Sequence, residues 1–524
     1  MSSHLDRLIR AMSDPRIYPH HPDSVHVIQT HISVVFVAGD LVYKIKKSLN
    51  FGFLDFTTLE KRRHFSQREV DLNSRFSEGV YLGVASIYEE AGGLNLEGRG
   101  KVVEVAVLMK RLPENRIMIR LLEEGAVAPG MLDRLADRIA ELHALAPTGP
   151  EIASYGSFEV IRQNLKENFD QTTPYVGRTI DKETHDAVFT LSMEFLEAHR
   201  KLFNERMTGG FVRDCHGDLH LDHVVILNGI ILYDCIEFND RFRYGDTAAD
   251  LGFLLMDLDF QGYPAFADRV SRRYAATSGD RDVLRLLGLY KSYRAFVRGK
   301  VVGFVLDEPE ISQSEKESAV QVAGHYFDLS LAYLKPPPRP ALIVTCGMVG
   351  TGKSFLGEGL AVRLGTEPIR SDVLRKRMHG VLPSEHRLDK YGEGIYTSNA
   401  TDRTYEELLD KAGQSLDIGQ SVVLDASFSR RRYRDLAHEL ARRKQAQFLI
   451  LECTCPDEIV RRRLEERAGK RDEPSDATWE IFREHKERFE PIQRDERAYC
   501  RQWDSTTDHN PFLRDVVRAL MVGQ

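Results

Sequence analysis

The sequence predicts a multidomain protein in which a bilobal α+β domain precedes an α/β domain with a parallel sheet. The chain has 524 residues, which is more than one hydrophobic core usually supports. A proline-rich stretch at 335–340 separates two regions of different pattern. Short strands followed by helices precede it, whereas strands and helices alternate after it. We therefore expect domains at 1–334 and 341–524, joined by a stiff, extended linker at 335–340.

Composition places the whole chain in the soluble globular class. Hydrophobic residues make up 42% and charged residues 29%. There is no apolar run long enough to cross a bilayer, and the start MSSHLDRLIRAMSDP lacks the apolar core of a signal peptide. The six cysteines contain no CxxC pair, which fits a reducing compartment. We expect a cytoplasmic protein without a membrane partner, and the oligomeric state stays open.

The first region is predicted to contain an antiparallel sheet lobe and then a helical lobe. The segments SVHVIQT, SVVFVAG and DLVYKIKK are β-branched and are joined by tight turns, with a hairpin signal at 38–40. A helix at about 57–76 follows, and YLGVASIYEE and VVEVAVLMKRL are further strands. After Gly130 the pattern is mostly helical, except for the hairpin VVILNGIILYDCIEF, which turns at Asn228-Gly229.

A phosphate-binding loop is predicted at GMVGTGKS, residues 347–354. It follows the apolar strand ALIVTC and opens a helix, which is the setting this motif requires. Gly347, Gly350 and Gly352 allow backbone N–H groups to converge on the phosphates of ATP. Lys353 is expected to contact the outer phosphates and to act in catalysis, and the Ser354 hydroxyl to hold Mg²⁺.

Three further features are predicted to complete this second site. Asp425 ends the strand SVVLD and is expected to position Mg²⁺, with a helix-capping role as the alternative. Asp372 follows a short strand and is expected to accept a proton from an attacking hydroxyl. The segment VRRRLEERAGKRDEPSD is predicted to form a mobile, phosphate-neutralising lid, in which Arg463 and Arg467 are the catalytic candidates. The alternative is a solvated helix face with Arg–Glu pairs.

These motifs, from about residue 341 to the end, resemble the small P-loop kinases. That group includes the kinase domain of polynucleotide kinase, gluconate kinase, chloramphenicol phosphotransferase and the zeta toxins. The resemblance implies that Asp372 is the substrate-hydroxyl base and that the arginine-rich helix is the lid. It also implies that CRQWDSTT forms the last strand and an adenine-side loop. It indicates a reaction class and no particular substrate.

The stretch CHGDLHLDHV in the first region allows two interpretations. A zinc cage would use His216, His220 and His223, with Asp218 or Asp222 as a further ligand. It requires a helix, which the glycine and two aspartates after His216 disfavour. A phosphotransferase catalytic loop would be followed by a hairpin that delivers a metal-binding aspartate, and Asp234 ends such a hairpin.

The phosphotransferase interpretation also requires a strand lysine paired with a glutamate on the next helix. Lys44 and Lys46 lie on one face of the strand LVYKIK, and Glu69 lies on the helix that follows. Both lysines and the glutamate are therefore candidates for binding the nucleotide.

Residues from about 25 to 334 resemble the aminoglycoside phosphotransferase and choline kinase family, which has a protein-kinase-like fold. HGDLH is that family's catalytic-loop motif. The resemblance implies that Asp218 is the general base or hydroxyl-orienting residue and that Asp234 binds Mg²⁺. It implies that one lysine of the pair contacts the α- and β-phosphates, with the glutamate as its ion-pair partner. It also implies that Asp246 and Asp250 brace the loop.

Three features depart from this family's pattern. His223 stands where the family has the asparagine that binds a second Mg²⁺, which makes this imidazole a candidate metal ligand. The loop at 29–35, where a phosphate-covering loop belongs, contains no glycine. The metal aspartate lies in YDCIEFND, so Glu237 is a rival metal ligand.

The leading hypothesis is therefore a bifunctional ATP- and Mg²⁺-dependent phosphotransferase. Its acceptors would be hydroxyl groups of small molecules of the sugar, aminoglycoside or amino alcohol type. One alternative is a 5′-hydroxyl polynucleotide kinase, favoured by SRRRYR and VRRRL and disfavoured by the net charge of −7. Another is a P-loop kinase regulated by a degenerate, nucleotide-sensing first domain.

Overall fold

The computed structural model of the protein describes residues 4–52, 54–90, 93–381, 397–467 and 478–523. The chain divides into two compact units. The first comprises Met1–Asp257 and Arg269–Ala323, and the second comprises Leu258–Asp268 and Gly324–Gln524. The second unit thus includes residues that precede the proline-rich stretch, which itself forms neither helix nor strand.

The strands up to residue 334 are β1 (Val25–Gln29), β2 (Ser33–Ala38), β3 (Leu41–Lys46), β4 (Tyr81–Glu90), β5 (Gly93–Asn95), β6 (Lys101–Lys110), β7 (Val212–Asp214), β8 (Val224–Ile226), β9 (Ile230–Leu232) and β10 (Tyr244–Asp246). The helices of this region are α1 (His4–Met12), α2 (Leu59–Asn73), α3 (Met118–Glu123), α4 (Pro129–Leu145), α5 (Pro150–Ser154), α6 (Phe158–Thr172), α7 (Lys182–Ala198), α8 (Arg200–Thr208), α9 (Asp240–Arg243), α10 (Thr247–Phe260), α11 (Pro264–Ser278), α12 (Val283–Gly303) and α13 (Gln313–Leu334).

An antiparallel six-stranded sheet forms the N-terminal lobe, in the order β1-β2-β3-β6-β4-β5. The long strands of this sheet confirm the strands predicted from the sequence. The predicted hairpin is also present, and β8 and β9 form it as a separate two-stranded sheet. Helix α2 begins where the Thr58 hydroxyl accepts a hydrogen bond from the Lys61 N–H at 3.2 Å. The helix packs Val70 against Val80 and Val107, and this contact holds α2 beside β4 and β6. The short strands β5, β7 and β10 were not predicted, because three residues give no periodicity. The equally short β8 and β9 were predicted from the turn signal Asn228-Gly229 between them.

The strands after residue 340 are β11 (Ala341–Cys346), β12 (Ile369–Arg370), β13 (Val422–Asp425), β14 (Gln447–Thr454) and β15 (Cys500–Asp504). The helices are α14 (Lys353–Leu364), α15 (Ser371–Met378), α16 (Ser398–Asp417), α17 (Arg431–Arg443), α18 (Asp457–Arg467), α19 (Trp479–Arg488) and α20 (His509–Val522).

These five strands form one parallel sheet in the order β12-β13-β11-β14-β15. Every residue of the central strand β11 is buried, and its alternate residues enter two separate apolar cores. Leu342 and Val344 belong to one core, and Ala341 and Ile343 belong to the other. A parallel sheet covered on both faces exposes only its strand ends to ligands. The predicted fold class, an α+β region followed by an α/β region with a parallel sheet, is confirmed.

Among the described residues, no helix combines the length and the apolar character needed to span a membrane.

Candidate active sites

Two carboxylates on α10 hold the HGDLH segment in place. Asp250 accepts hydrogen bonds from the backbone N–H groups of His216 and Gly217 at 3.0 and 2.8 Å. Asp257 accepts one from the Leu221 N–H at 3.0 Å. A loop whose backbone is fixed in this way presents its side chains in one geometry. The predicted bracing position of Asp250 agrees with these contacts.

Asp218 lies at the tip of this loop beside two imidazoles. Its Oδ2 is 3.6 Å from His220 Nε2 and 3.7 Å from His223 Nδ1. Burial lowers the pKa of His220, but hydrogen bonds with Asp218 and Asp222 outweigh burial and raise that pKa to about 10. His220 is therefore an imidazolium at neutral pH, held between two carboxylates.

The His223 ring has a defined tautomer. Its Nδ1 lies 2.9 Å from the carbonyl oxygen of Asp218, which can only accept, so Nδ1 donates the proton. Burial lowers the pKa of His223, so the ring is neutral at neutral pH, and its unprotonated Nε2 lies 3.7 Å from Asp234 Oδ2. An imidazole whose other nitrogen donates to a carbonyl is the usual arrangement of a metal-ligating histidine.

The zinc cage built from all three histidines is wrong. No helix forms at 215–220. The His216 ring is buried and donates through Nε2 to the Tyr233 carbonyl at 2.9 Å. Within this stretch, the side chains close enough to share one ion are instead Asp218, His220 and His223, and the described residues contain one further such group, His143, Cys215 and Asp250.

Asp234 follows the β8–β9 hairpin and is fixed from two sides. It has a left-handed backbone with φ of 61°, which is uncommon for a residue other than glycine. Its N–H donates to the Tyr81 hydroxyl at 3.1 Å, and the next N–H, of Cys235, donates to Asn73 Oδ1 at 2.8 Å. The Lys44 ammonium donates to its Oδ1 at 2.6 Å.

Both lysines of β3 pair with the buried Glu69. Lys44 Nζ is 3.0 Å from Glu69 Oε1, and Lys46 Nζ is 2.6 Å from Glu69 Oε2. Lys46 also pairs with Glu237, so Glu237 binds an ammonium group, although the sequence made it a rival metal ligand. Burial opposes the charge on Lys44, but Asp234 and Glu69 outweigh it and raise the pKa of Lys44 well above its ordinary range.

The two lysines differ in their access to ligands. A cavity of about 1340 Å³ is lined by Lys44, Asp218, His223 and Asp234, together with the turn at 30–33 between β1 and β2. Lys46 is buried below it and does not line it. The glycine-free turn therefore lies at the cavity, as the position of a phosphate-covering loop requires.

Replacing Lys46 by methionine is expected to lower the free energy of unfolding by about 3–5 kcal/mol, because Glu69 and Glu237 would lose the buried cation between them. Lys44→Met should cost less stability, since Glu69 keeps its other lysine. Urea denaturation followed by circular dichroism measures both. Equal losses in the two variants would contradict this division between a structural and a ligand-facing lysine.

The phosphate loop of the second site has backbone conformations that require glycine. Gly347 and Gly350 have φ of 145° and 78°. A Cβ on Gly347 would lie 2.5 Å from the Cys453 carbonyl oxygen, and one on Gly350 would lie 2.9 Å from Val460 Cγ1. Gly352 caps α14 in the left-handed region. Side chains are thus excluded from the concave surface that backbone N–H groups would offer to a phosphate.

The remaining residues predicted for this site lie at the carboxyl ends of the strands. Lys353 and Ser354 begin α14, and the Lys353 ammonium donates to the loop carbonyl of Met348 at 2.7 Å. Asp425 ends β13, beside β11, and is buried. Helix α17 begins six residues after Asp425 and is not capped by it, which removes the helix-cap alternative. Asp372 lies in the first turn of α15, directly after β12, and is partly exposed.

The arginines of α18 divide into two groups. Arg461 and Arg462 pair with glutamates one turn away, at 2.9 and 3.9 Å, as the solvated-face alternative predicts. Arg463 instead donates to the Ser505 hydroxyl at 2.8 Å and to the Ser505 carbonyl at 2.9 Å. It therefore anchors the loop after β15. The side chain of Arg467 lies outside the described residues, so its role remains a prediction.

Two family models match the chain. The phosphotransferase enzyme family matches residues 66–287, and an AAA domain matches residues 342–492. Uncharacterized proteins of Mycobacterium tuberculosis and Mycobacterium bovis are 31% identical over 460 residues, which cover 87% of this chain and 88% of theirs. The chain belongs to the same family as these mycobacterial proteins. The family models confirm the predicted kinase-like and P-loop kinase domains and support a phosphotransferase.

Similarity to solved structures is more distant. A choline/ethanolamine kinase family protein from Mesorhizobium loti is 15% identical, covers 63% of this chain and 99% of its own, and gives a TM-score of 0.37. A gluconokinase from Sinorhizobium meliloti is 18% identical, covers 35% of this chain and 93% of its own, and gives a TM-score of 0.26.

Several supporting residues were not found from the sequence. Asn73 lies one turn after Glu69 on the same helix face, and this spacing was a usable signal. Tyr81 and Asp257 had no such signal, because each acts on a backbone N–H group that is distant in the sequence. Together with Asn73, they hold in place the segments that carry Asp234 and Asp218.

Proposed function

We propose that the protein is a bifunctional, ATP-dependent phosphotransferase with one site in each kinase-related region. Each site would transfer the γ-phosphate to a hydroxyl group of a small molecule. The observation that supports the first activity is the convergence of Lys44, Asp234, His223 and Asp218 on one large cavity. One cavity thus contains the groups that a phosphotransferase needs. They are a cation for the phosphates, two side chains for a metal ion and a carboxylate for the acceptor hydroxyl.

At the first site, Lys44 would bind the α- and β-phosphates while Glu69 keeps its ammonium oriented. Asp234 Oδ2 and His223 Nε2, which are 3.7 Å apart, would hold one divalent cation. Bound Mg²⁺ would neutralise charge on the phosphate oxygens. Asp218 would orient the acceptor hydroxyl and receive its proton as transfer proceeds. The turn at 30–33 would cover the phosphates.

At the second site, the backbone N–H groups of residues 347–352 would bind the phosphates of ATP. Lys353 would leave the Met348 carbonyl and reach the outer phosphates, while Ser354 and Asp425 would hold Mg²⁺. Asp372 is exposed enough to meet an acceptor and would receive the hydroxyl proton. The buried position of Asp425 near Lys353 supports this assignment.

The test is phosphoryl transfer from labelled ATP with Mg²⁺ to sugars, sugar acids, aminoglycosides, amino alcohols and 5′-hydroxyl oligonucleotides. Wild type, Asp218→Ala and Lys353→Ala are compared. We expect each variant to lose transfer to a different acceptor. If only Lys353→Ala loses activity, the first region is a sensor or scaffold. Transfer to oligonucleotides alone would favour the polynucleotide kinase.

A further inference from the structure

Helix α12 places cationic side chains along one wall of the first cavity. Arg294, Arg298 and Lys300 all line it. Arg294 and Lys300 are six residues apart, which is about 9 Å along the helix axis. This wall lines the same cavity as Asp218, which the proposed function assigns to the acceptor hydroxyl, and it therefore bears on the charge of the acceptor.

Lys300 is a buried cation without a carboxylate partner. Its relative exposure is 8%, and its ammonium donates to the side-chain oxygens of Asn168 and Gln171 on α6. It forms no salt bridge with any described residue. Burial lowers its pKa to about 8, and the charge of Glu167 offsets this only in part. Lys300 is therefore still mostly charged at pH 7, in a place where an uncompensated charge is costly.

Arg294 lies closer to the catalytic loop and also has no carboxylate partner among the described residues. Its guanidinium lies 4.8 Å from the Phe253 ring centroid and donates to the Ala249 carbonyl at 3.3 Å. The same Phe253 ring packs 5.6 Å from the ring of His220, the neighbour of Asp218. An anionic group near Arg294 would thus lie close to the loop that is proposed to orient the acceptor hydroxyl.

The carboxylates of the same cavity, by contrast, all have partners. Glu167 pairs with Arg241 at 2.5 Å, and Glu114 pairs with Arg111 at 3.3 Å. The other lining carboxylates bind lysine, arginine, imidazole or backbone N–H groups; they are Asp218, Asp234, Glu237, Asp246 and Asp250. A polycationic acceptor would find no uncommitted carboxylate here, whereas an anion would meet Lys300 and Arg294.

We propose that the acceptor of the first site is an anionic hydroxyl compound whose carboxylate or phosphate group binds Lys300, with Arg294 contributing to its recognition. That the bound anion is phosphorylated rests on the proposed function, whereas the anion-binding site does not depend on it. It points away from aminoglycosides and amino alcohols, and towards sugar acids or sugar phosphates.

The experiment measures binding by isothermal titration calorimetry, on the full chain with a saturating non-hydrolysable ATP analogue and Mg²⁺. The probes are D-glucuronate, D-glucose 6-phosphate, D-glucose and D-glucosamine, which share one ring and differ in charge. We expect an anionic probe to bind more tightly than glucose and glucosamine. Lys300→Gln should weaken that binding about tenfold or more, because a charge-assisted hydrogen bond is lost. The glucuronate and glucose 6-phosphate titrations distinguish a carboxylate from a phosphate.

Two further variants keep the result interpretable. Lys300→Arg retains the charge and should retain the preference for anions, which separates charge from folding. Lys166→Met removes an exposed lysine that pairs with Asp170 on α6, and it should change nothing. The proposal is overturned if no probe binds, if glucosamine binds as tightly as the anions, or if Lys300→Gln binds the anions like wild type.

Binding and transfer separate this inference from the proposed function. Asp218→Ala should abolish transfer and keep anion binding. If anions bind through Lys300 but no acceptor is phosphorylated, the phosphotransferase assignment of the first site fails and the anion site stands. If transfer occurs only to cationic acceptors, the anion site fails and the phosphotransferase stands.

Discussion

Replacing Asp218 by asparagine is expected to lower kcat of the first site by about 10²–10⁴-fold, with little change in affinity for ATP. Asparagine has nearly the same shape but cannot receive a proton. Burial alone would raise the pKa of Asp218, but His220 and the other nearby imidazoles hold it well below its usual range. The carboxylate is thus ionised at every working pH, and it is suited to orient a hydroxyl and to take its proton late in the transfer.

The effect is best measured in a Lys353→Ala background, which removes turnover at the phosphate loop. The matched control is Asp222→Asn. Asp222 also contacts His220, at 3.5 Å, but its side chain is 61% exposed and belongs to no group of possible metal ligands among the described residues. Unchanged kcat in the Asp218 variant would remove the proposed role of this carboxylate, whereas the absence of any turnover in the Lys353→Ala background would support the hypothesis of a degenerate nucleotide sensor.

Short-range spacing explains most of what the sequence predicted correctly. Lys44 and Lys46 must share a strand face, and the turn at Asn228-Gly229 had to return the chain so that Asp234 follows a hairpin. The strand before the phosphate loop and the helix after it were equally clear, because the strand is a continuous apolar run and the helix begins inside the motif itself. Such features depend on residues that are neighbours in the sequence.

Contacts across long sequence separations were not predictable in the same way. Spacing alone could not decide whether Lys44 or Lys46 reaches the cavity, since both point to one side and only the position of the cavity along β3 separates them. Arg463 looked like its neighbours in VRRRL, yet its partner Ser505 is 42 residues away. Lys300 belongs to no motif, and its burial against α6 depends on tertiary packing alone.

The second prediction concerns the metal. His223→Asn is expected to shift the preference of the first site from Mn²⁺ towards Mg²⁺ by about tenfold or more in relative affinity. Imidazole nitrogen binds Mn²⁺ better than Mg²⁺, which prefers oxygen ligands. The proton on Nδ1 leaves Nε2 as the ligand atom facing Asp234. The asparagine would offer an amide oxygen in place of the imidazole, at the sequence position where the family resemblance implies an asparagine.

Metal affinity is read directly, by electron paramagnetic resonance of free Mn²⁺ during titration and by competition with Mg²⁺, in the Lys353→Ala background with the ATP analogue present. His220→Asn is the informative comparison, because His220 lies in the same cluster but has both ring nitrogens facing carboxylates. An equal Mn²⁺ to Mg²⁺ ratio in wild type and His223→Asn would show that His223 is not a ligand. A shift in His220→Asn alone would assign the metal to the other imidazole. A shift confined to His223→Asn would mean that one substitution in the catalytic loop has changed the metal this site selects, while its phosphate-binding lysine and its acceptor carboxylate stay in place.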